Sequence, residues 1–179
     1  MLPFFNKKQR KFTVKFYIEG LAPAEKRYLT DDEYAFIFQR VPRLCLDFAI
    51  IKDNQILLAQ REIDPLKGCW HLPGGMVRYK ENVDQAAERI LKSELGAKPL
   101  SKKFLGYMEF PNEINEHGIP VHSVSIVFLT ELASEEISRS KQAHRVKFFS
   151  DLPEYIHPIH AKFIQQNRES LNIDIEKSM

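Results

Sequence analysis

The sequence predicts an α/β fold, and three observations carry that prediction. Strand-like runs joined by turn residues fill residues 44–60, a capped amphipathic helix fills 83–95, and three more strand-like runs lead into a closing helix at 159–171. No internal repeat or low-complexity tract interrupts this order.

Residues Phe12 to Ile18 alternate like a short strand, and Gly20 to Lys26, with its proline and charges, reads as a loop. Residues 1–27 are therefore expected to be an N-terminal extension and 28–179 the principal domain. Thr30 precedes Asp31, Asp32 and Glu33, a capping residue before an acidic first turn. Tyr34, Ile37 and Phe38 then recur at helical spacing, so a short helix is expected to end before Pro42. Leu44 to Ile51 and Ile56 to Gln60 are β-rich, and Lys52-Asp53-Asn54 between them tolerates turn conformations, which predicts a hairpin. Phe104 to Phe110, Val121 to Thr130 and Arg145 to Phe149 read as strands, and Ile159 to Leu171 as the closing helix.

A chain of 179 residues, 44% hydrophobic and 11% aromatic, can bury a sizeable core as one globular domain. Its 26 basic and 24 acidic residues leave a net charge of +2, too small to point to a nucleic-acid partner. The basic residues Lys7, Lys8, Arg10 and Lys11 read as a solvated terminus. No apolar run approaches a signal peptide or a membrane span, so a soluble cytoplasmic protein is expected. Cys45 and Cys69 lack metal-site or disulfide spacing and read as reduced core residues. Phe48 and Trp70, in strand-like runs, also read as core rather than as stacking platforms.

The chemistry concentrates in residues 68–97. A Pro-Gly-Gly turn leads into a helix that Asn82 and Gln85 begin as a capping box and Gly96 ends. Val83, Ala86, Ala87, Ile90 and Leu91 define its apolar face. At roughly 100° per residue, Glu94 returns to within about 20° of Val83, so the helix aims a carboxylate at its buried side. A carboxylate there needs a partner: an arginine in a structural ion pair, or a hard divalent cation.

Gly75, Glu81, Arg89 and the closing Glu94-Leu95-Gly96-Ala97 stand at the spacing of the Nudix signature, which this segment resembles. Ile90 and Ser93 occupy positions where that signature usually carries glutamates. The reduction resembles the GDP-mannose mannosyl hydrolase branch, and the likeness runs from about Tyr28 to Phe163. It includes Val41-Pro42, Leu46-Asp47-Phe48, Leu57 to Arg61, Glu88-Arg89 and Ile156-His157-Pro158.

The resemblance implies a Nudix-like α/β/α sandwich with a mixed β-sheet, and an enzyme in which water attacks the anomeric carbon of a nucleotide sugar while the nucleoside diphosphate leaves. It implies one magnesium ion, with manganese as a substitute, held by the Gly74 carbonyl, Glu94 and Gln142. It implies diphosphate contacts from Arg61 and Arg89, and a place for Asp47 among the polar groups around the substrate. Arg78 stands in for an arginine that the branch carries where this chain has Met76. His144 is the implied general base, offset by one residue because Ala143 follows Gln142; the alternative is a solvated loop histidine. Relatives of this kind often form homodimers. Two other functions stay open. One is a Nudix pyrophosphohydrolase attacking phosphorus, with Glu81 or Glu88 supplying the missing ligands; the other is a Nudix-fold nucleotide-binding module without catalysis.

Overall fold

The computed structural model describes residues 29–115, 118–133 and 145–173. The chain divides into two units after Tyr34, and among the described residues every strand lies in the second. The first described helix, α1 (Asp31–Phe38), has the expected acidic first turn. Thr30 caps it: the Glu33 amide donates to Thr30 Oγ1 at 3.3 Å, and the Thr30 amide donates back to Glu33 Oε2 at 3.0 Å.

Among the described residues eight strands form two sheets. β1 (Arg43–Ala49), β5 (Gly74–Met76), β6 (Pro99–Ile114) and β7 (Pro120–Leu132) make the first, in the order β5-β1-β7-β6. It is mixed, because β1 and β7 run parallel from Arg43↔Ser123 to Ala49↔Leu129 while its other pairs are antiparallel. β2 (Ile51–Lys52), β3 (Gln55–Gln60), β4 (Trp70–His71) and β8 (Val146–Phe149) make the second, with β2, β4 and β8 all antiparallel to β3.

The run expected as one strand over 44–51 thus serves two sheets, and Ile50 is the point of transfer. The hairpin itself is β2–β3. Its turn residues Asp53 and Asn54 have φ of 50° and 59°, the paired left-handed geometry that matches strand twist in a two-residue hairpin. The expected strands at 104–110 and 121–130 lie inside longer ones. β6 carries register shifts between Pro99 and Ser101, Phe104 and Gly106, and Phe110 and Glu113.

Period-two alternation feeds two cores on opposite faces. On one, Leu46, Phe48 and Leu57 meet Ala86, Ala87, Ile90, Leu91 and Leu95 of α2 (Val83–Leu95). On the other, Ala49, Ile56, Leu58, Met108, Phe110 and Val127 meet Phe163 and Ile164 of α3 (Pro158–Gln166). This is the helix-sheet-helix layering expected from the sequence. Gly106 permits the close approach of α3, since a β-carbon there would lie 3.1 Å from Phe163 Cε2.

The single closing helix expected at 159–171 is two, α3 and α4 (Arg168–Leu171). Asn167 separates them, and its side-chain amide donates to the Phe163 carbonyl at 2.9 Å, competing with helical hydrogen bonding. Phe48 is fully buried, and Trp70 packs edge-on against Phe149 with ring centroids 4.8 Å apart. Cys45 and Cys69 are both free thiols, Cys45 half-buried and Cys69 buried. No helix among the described residues is long and apolar enough to cross a membrane.

Candidate active site

The turn into β5 brings the backbone of Gly74 hard against β1. A β-carbon on Gly74 would sit 2.1 Å from Asp47 Oδ1 and 2.7 Å from the Leu46 carbonyl oxygen, so only glycine fits. The ladder fixes where its carbonyl points. Phe48 donates to Pro73 O and Val77 to Leu44 O, both at 2.9 Å, which makes Asp47↔Gly74 and Cys45↔Met76 the pairs without mutual hydrogen bonds. The Gly74 and Met76 carbonyls therefore face away from β1, toward the outer side of an edge strand. The Met76 carbonyl accepts there from Arg89 Nη2 at 2.8 Å.

The loop before α2 is held by charge. Arg89 donates to Glu81 from Nε at 2.5 Å and from Nη2 at 2.7 Å, and the Arg78 amide donates to Glu81 Oε2 at 2.9 Å. These bonds, the Arg89 pair first among them, hold the Glu81 carboxyl below its ordinary range. Lys80, at φ 65°, closes the turn. α2 then begins at the expected capping box, Gln85 N to Asn82 Oδ1 at 2.9 Å and Asn82 N to Gln85 Oε1 at 3.0 Å, and ends at Gly96 with φ 65°.

Ile90 is buried, and its side chain occupies the space beside Gly75 where a β-carbon would lie 3.4 Å from its Cγ1. Glu94 follows one turn later, half-buried. Glu88 faces outward to Lys98 at 3.1 Å. A half-buried carboxylate and an outward-turned carbonyl, on a helix and a strand that pack together, suit a hard divalent cation. Among the described residues no three acidic, histidine or cysteine side chains converge to hold a metal.

The face of the first sheet opposite α2 carries a polar strip that the sequence reading missed apart from Asp47. Asp47 is buried and accepts from Ser125 Oγ. Burial pushes its carboxyl up to about 7; the Ser125 bond opposes the shift and the Glu113 charge adds to it. Beside it, Arg43 donates to Ser123 Oγ from Nη2 at 2.6 Å and to Glu113 Oε2 at 3.1 Å, and Ser123 Oγ donates to the same oxygen at 2.9 Å. Burial raises the Cys45 thiol to about 12, so it is no nucleophile. The legible signal was the alternation of Arg43, Cys45 and Asp47 on β1 opposite Ser123 and Ser125 on β7.

Arg61 follows β3 and donates from Nε to the carbonyls of Pro65 and Ile63 at 2.6 and 3.1 Å. Its outer nitrogens have no hydrogen-bond partner among the described residues. Arg78 is exposed, and Gln142 and His144 lie outside the described residues.

The NUDIX domain model matches residues 46–166, which include the Gly75-to-Ala97 segment and both sheets' central strands. The chain belongs to the NUDIX domain family. This Nudix chain is 38% identical over 108 residues to an ADP-ribose pyrophosphatase of Methanocaldococcus jannaschii, covering 60% of the chain and 62% of that relative. It thus spans less than two thirds of that relative's length. It is 29% identical over 138 residues to the low-salt glycan biosynthesis protein Agl8 of Haloferax volcanii, covering 76% and 88%.

Among solved Nudix structures, a MutT NUDIX hydrolase from Burkholderia pseudomallei superposes with a TM-score of 0.60 at 28% identity, over 70% of this chain and 98% of that one. The NUDIX domain of Shewanella oneidensis NrtR, solved with ADP ribose, shares the fold with a TM-score of 0.51 at 22% identity, over 80% and 99%. Family and relatives together make hydrolysis the reaction class to be tested.

Proposed function

We propose that this Nudix chain is a magnesium-dependent hydrolase of a nucleoside diphosphate sugar of the GDP-mannose type, releasing nucleoside diphosphate and free sugar. One observation carries the choice of carbon over phosphorus as the centre attacked: the placement of side chains along the Nudix helix. Ile90 is buried against Gly75, Glu81 is engaged by Arg89, and Glu88 faces Lys98, so none of these three positions adds a carboxylate beside Glu94. That supply suits one cation better than the carboxylate cluster that attack on phosphorus with several ions requires.

In this reading Glu94, the Gly74 carbonyl and Gln142 hold magnesium, or manganese in its place. Held there, the ion would supply positive charge against the departing diphosphate. His144 takes a proton from water as the water oxygen bonds to the anomeric carbon, and the bond from that carbon to the diphosphate oxygen breaks. Arg61, with its outer nitrogens open, contacts the diphosphate, while Arg89 positions the loop through Glu81 and Met76. In this reading Asp47, which lies against Gly74, and the exposed Arg78 of the loop before α2 also contribute to substrate binding.

The Methanocaldococcus relative favours a second reading, pyrophosphate cleavage at phosphorus. Hydrolysis of GDP-mannose and ADP-ribose in H₂¹⁸O distinguishes the two. Unlabelled GDP with free mannose from GDP-mannose is the expected result; label in a phosphate group, or AMP and ribose phosphate from ADP-ribose, would move the reaction to phosphorus. Nucleotide binding without turnover at every magnesium and manganese concentration would identify a module that has lost catalysis.

A further inference from the structure

His157 caps α3, and that duty fixes its ring chemistry. Its Nδ1 accepts the Ile159 amide at 3.3 Å, so in the neutral ring the proton resides on Nε2. Protonating Nδ1 would break the cap, so Nε2–H serves as a donor and the ring is a poor base. Burial lowers the pKa of His157, the Arg61 charge lowers it further, and only Glu113 opposes them. The backbone is equally fixed: the His157 amide donates to Trp70 O at 2.9 Å, and Ile156 bridges to Trp70.

Three polar groups from three separate elements lie around this cap with hydrogen-bonding capacity still open among the described residues: Arg61 follows Gln60, whose β4 partner Trp70 accepts the His157 amide, and Glu113 stands three residues after Phe110, whose ring lies beside that of His157. Arg61, on the loop after β3, has its outer nitrogens. His157 has Nε2–H. Glu113, near the end of β6, has Oε1, since its Oε2 takes both Arg43 and Ser123. Phe110, buried, sets the spacing between β6 and the cap of α3, with its ring 5.4 Å from that of His157. A cation, a neutral donor and an anionic acceptor around one cap match a diphosphate next to a hydroxyl-bearing ring. The carboxylate accepts from hydroxyls, the imidazole donates to one, and the guanidinium meets phosphate oxygen.

We propose that His157 Nε2–H and Glu113 Oε1 form a hydroxyl-recognising subsite for the sugar portion of the substrate, adjoining Arg61 on the diphosphate. This rests on the nucleotide-sugar reading given above and assigns its sugar specificity to residues outside the Nudix helix.

Initial rates with ADP-ribose and GDP-mannose give KM for the sugar nucleotides, and inhibition by ADP and GDP gives Ki for the same diphosphates without the sugar. His157→Ser keeps a capping oxygen but cannot reach the ligand, so it raises KM about fivefold to tenfold while Ki and the melting temperature hold. His157→Asn, whose amide both caps and donates, recovers part of the loss. Glu113→Gln, which keeps an oxygen for Arg43 and turns a donor toward the hydroxyls, raises KM without raising Ki. An unchanged KM in His157→Ser, or a Ki that rises in step with KM, would overturn the subsite and leave the nucleotide-sugar reading intact. Wild-type protein that hydrolyses neither sugar nucleotide would overturn both.

Discussion

Glu81 receives Arg89 through two nitrogens, and Arg89 in turn reaches the Met76 carbonyl, so one guanidinium fastens the start of the Nudix loop to the middle of its helix. The planar fork makes this possible, and a lysine cannot reproduce it. Arg89→Lys is expected to destabilise the protein by roughly 1.5–3 kcal/mol, read by urea denaturation, and to lower kcat as the loop loosens. A double-mutant cycle with Glu81→Gln should give coupling of similar size. Because Arg89 depresses the Glu81 carboxyl, this stabilisation is present above the ordinary glutamate pKa and is lost as pH falls through the lowered value.

Gly74→Ala should be severe, costing roughly 3 kcal/mol or more in thermal or chemical denaturation. Asp47→Ala in the same chain should not restore stability, because the Leu46 carbonyl, 2.7 Å from the new β-carbon, is backbone and cannot rotate away.

Glu94→Gln keeps shape and removes charge. Metal-dependent turnover is expected to fall at least about a hundredfold with the melting temperature unchanged. Near wild-type turnover would remove Glu94 from metal binding.

His160 is buried, accepts the Leu72 amide at 3.2 Å, and has its pKa driven well below the ordinary histidine value by burial first and by His71 and His157 next. The unfolded chain binds a proton at about pH 6.5 that the folded chain refuses, so His160 supports stability above that pH and withdraws support as pH falls. Unfolding free energy should decline by about 1.4 kcal/mol per pH unit below 6.5 from this group alone. His160→Gln should flatten that slope while lowering stability at neutral pH. An unaltered slope would show that His160 takes no part in it.

How far the sequence could be read depended on whether the signal was local. The capping box of Asn82 and Gln85, the Gly96 stop and the apolar stripe of α2 are set within a few residues of one another, and each appears where the pattern places it. The transfer of the chain between sheets at Ile50 was not legible, since both halves of that run are β-rich and only their partners differ. The Arg43, Glu113 and Ser123 network joins residues 70 and 80 positions apart through strand register. His157 could be quoted in a motif, but its part at the cap depends on Trp70 and on where α3 begins. Gln142 and His144 fall outside the described residues, so their roles rest on the resemblance and on the proposed assays.

β6 is a sixteen-residue strand at the rim of its sheet, and a rim of that length is a template on which foreign chains can add themselves. Three register shifts cut it into short runs, and Pro99 and Pro111 offer no amide to an incoming strand. With a net charge of only +2, repulsion between molecules gives little protection against aggregation. The irregularity of this long edge thus opposes such addition, and a variant that straightened β6 is expected to gain hydrogen-bonding regularity and lose solubility, read by light scattering at high concentration.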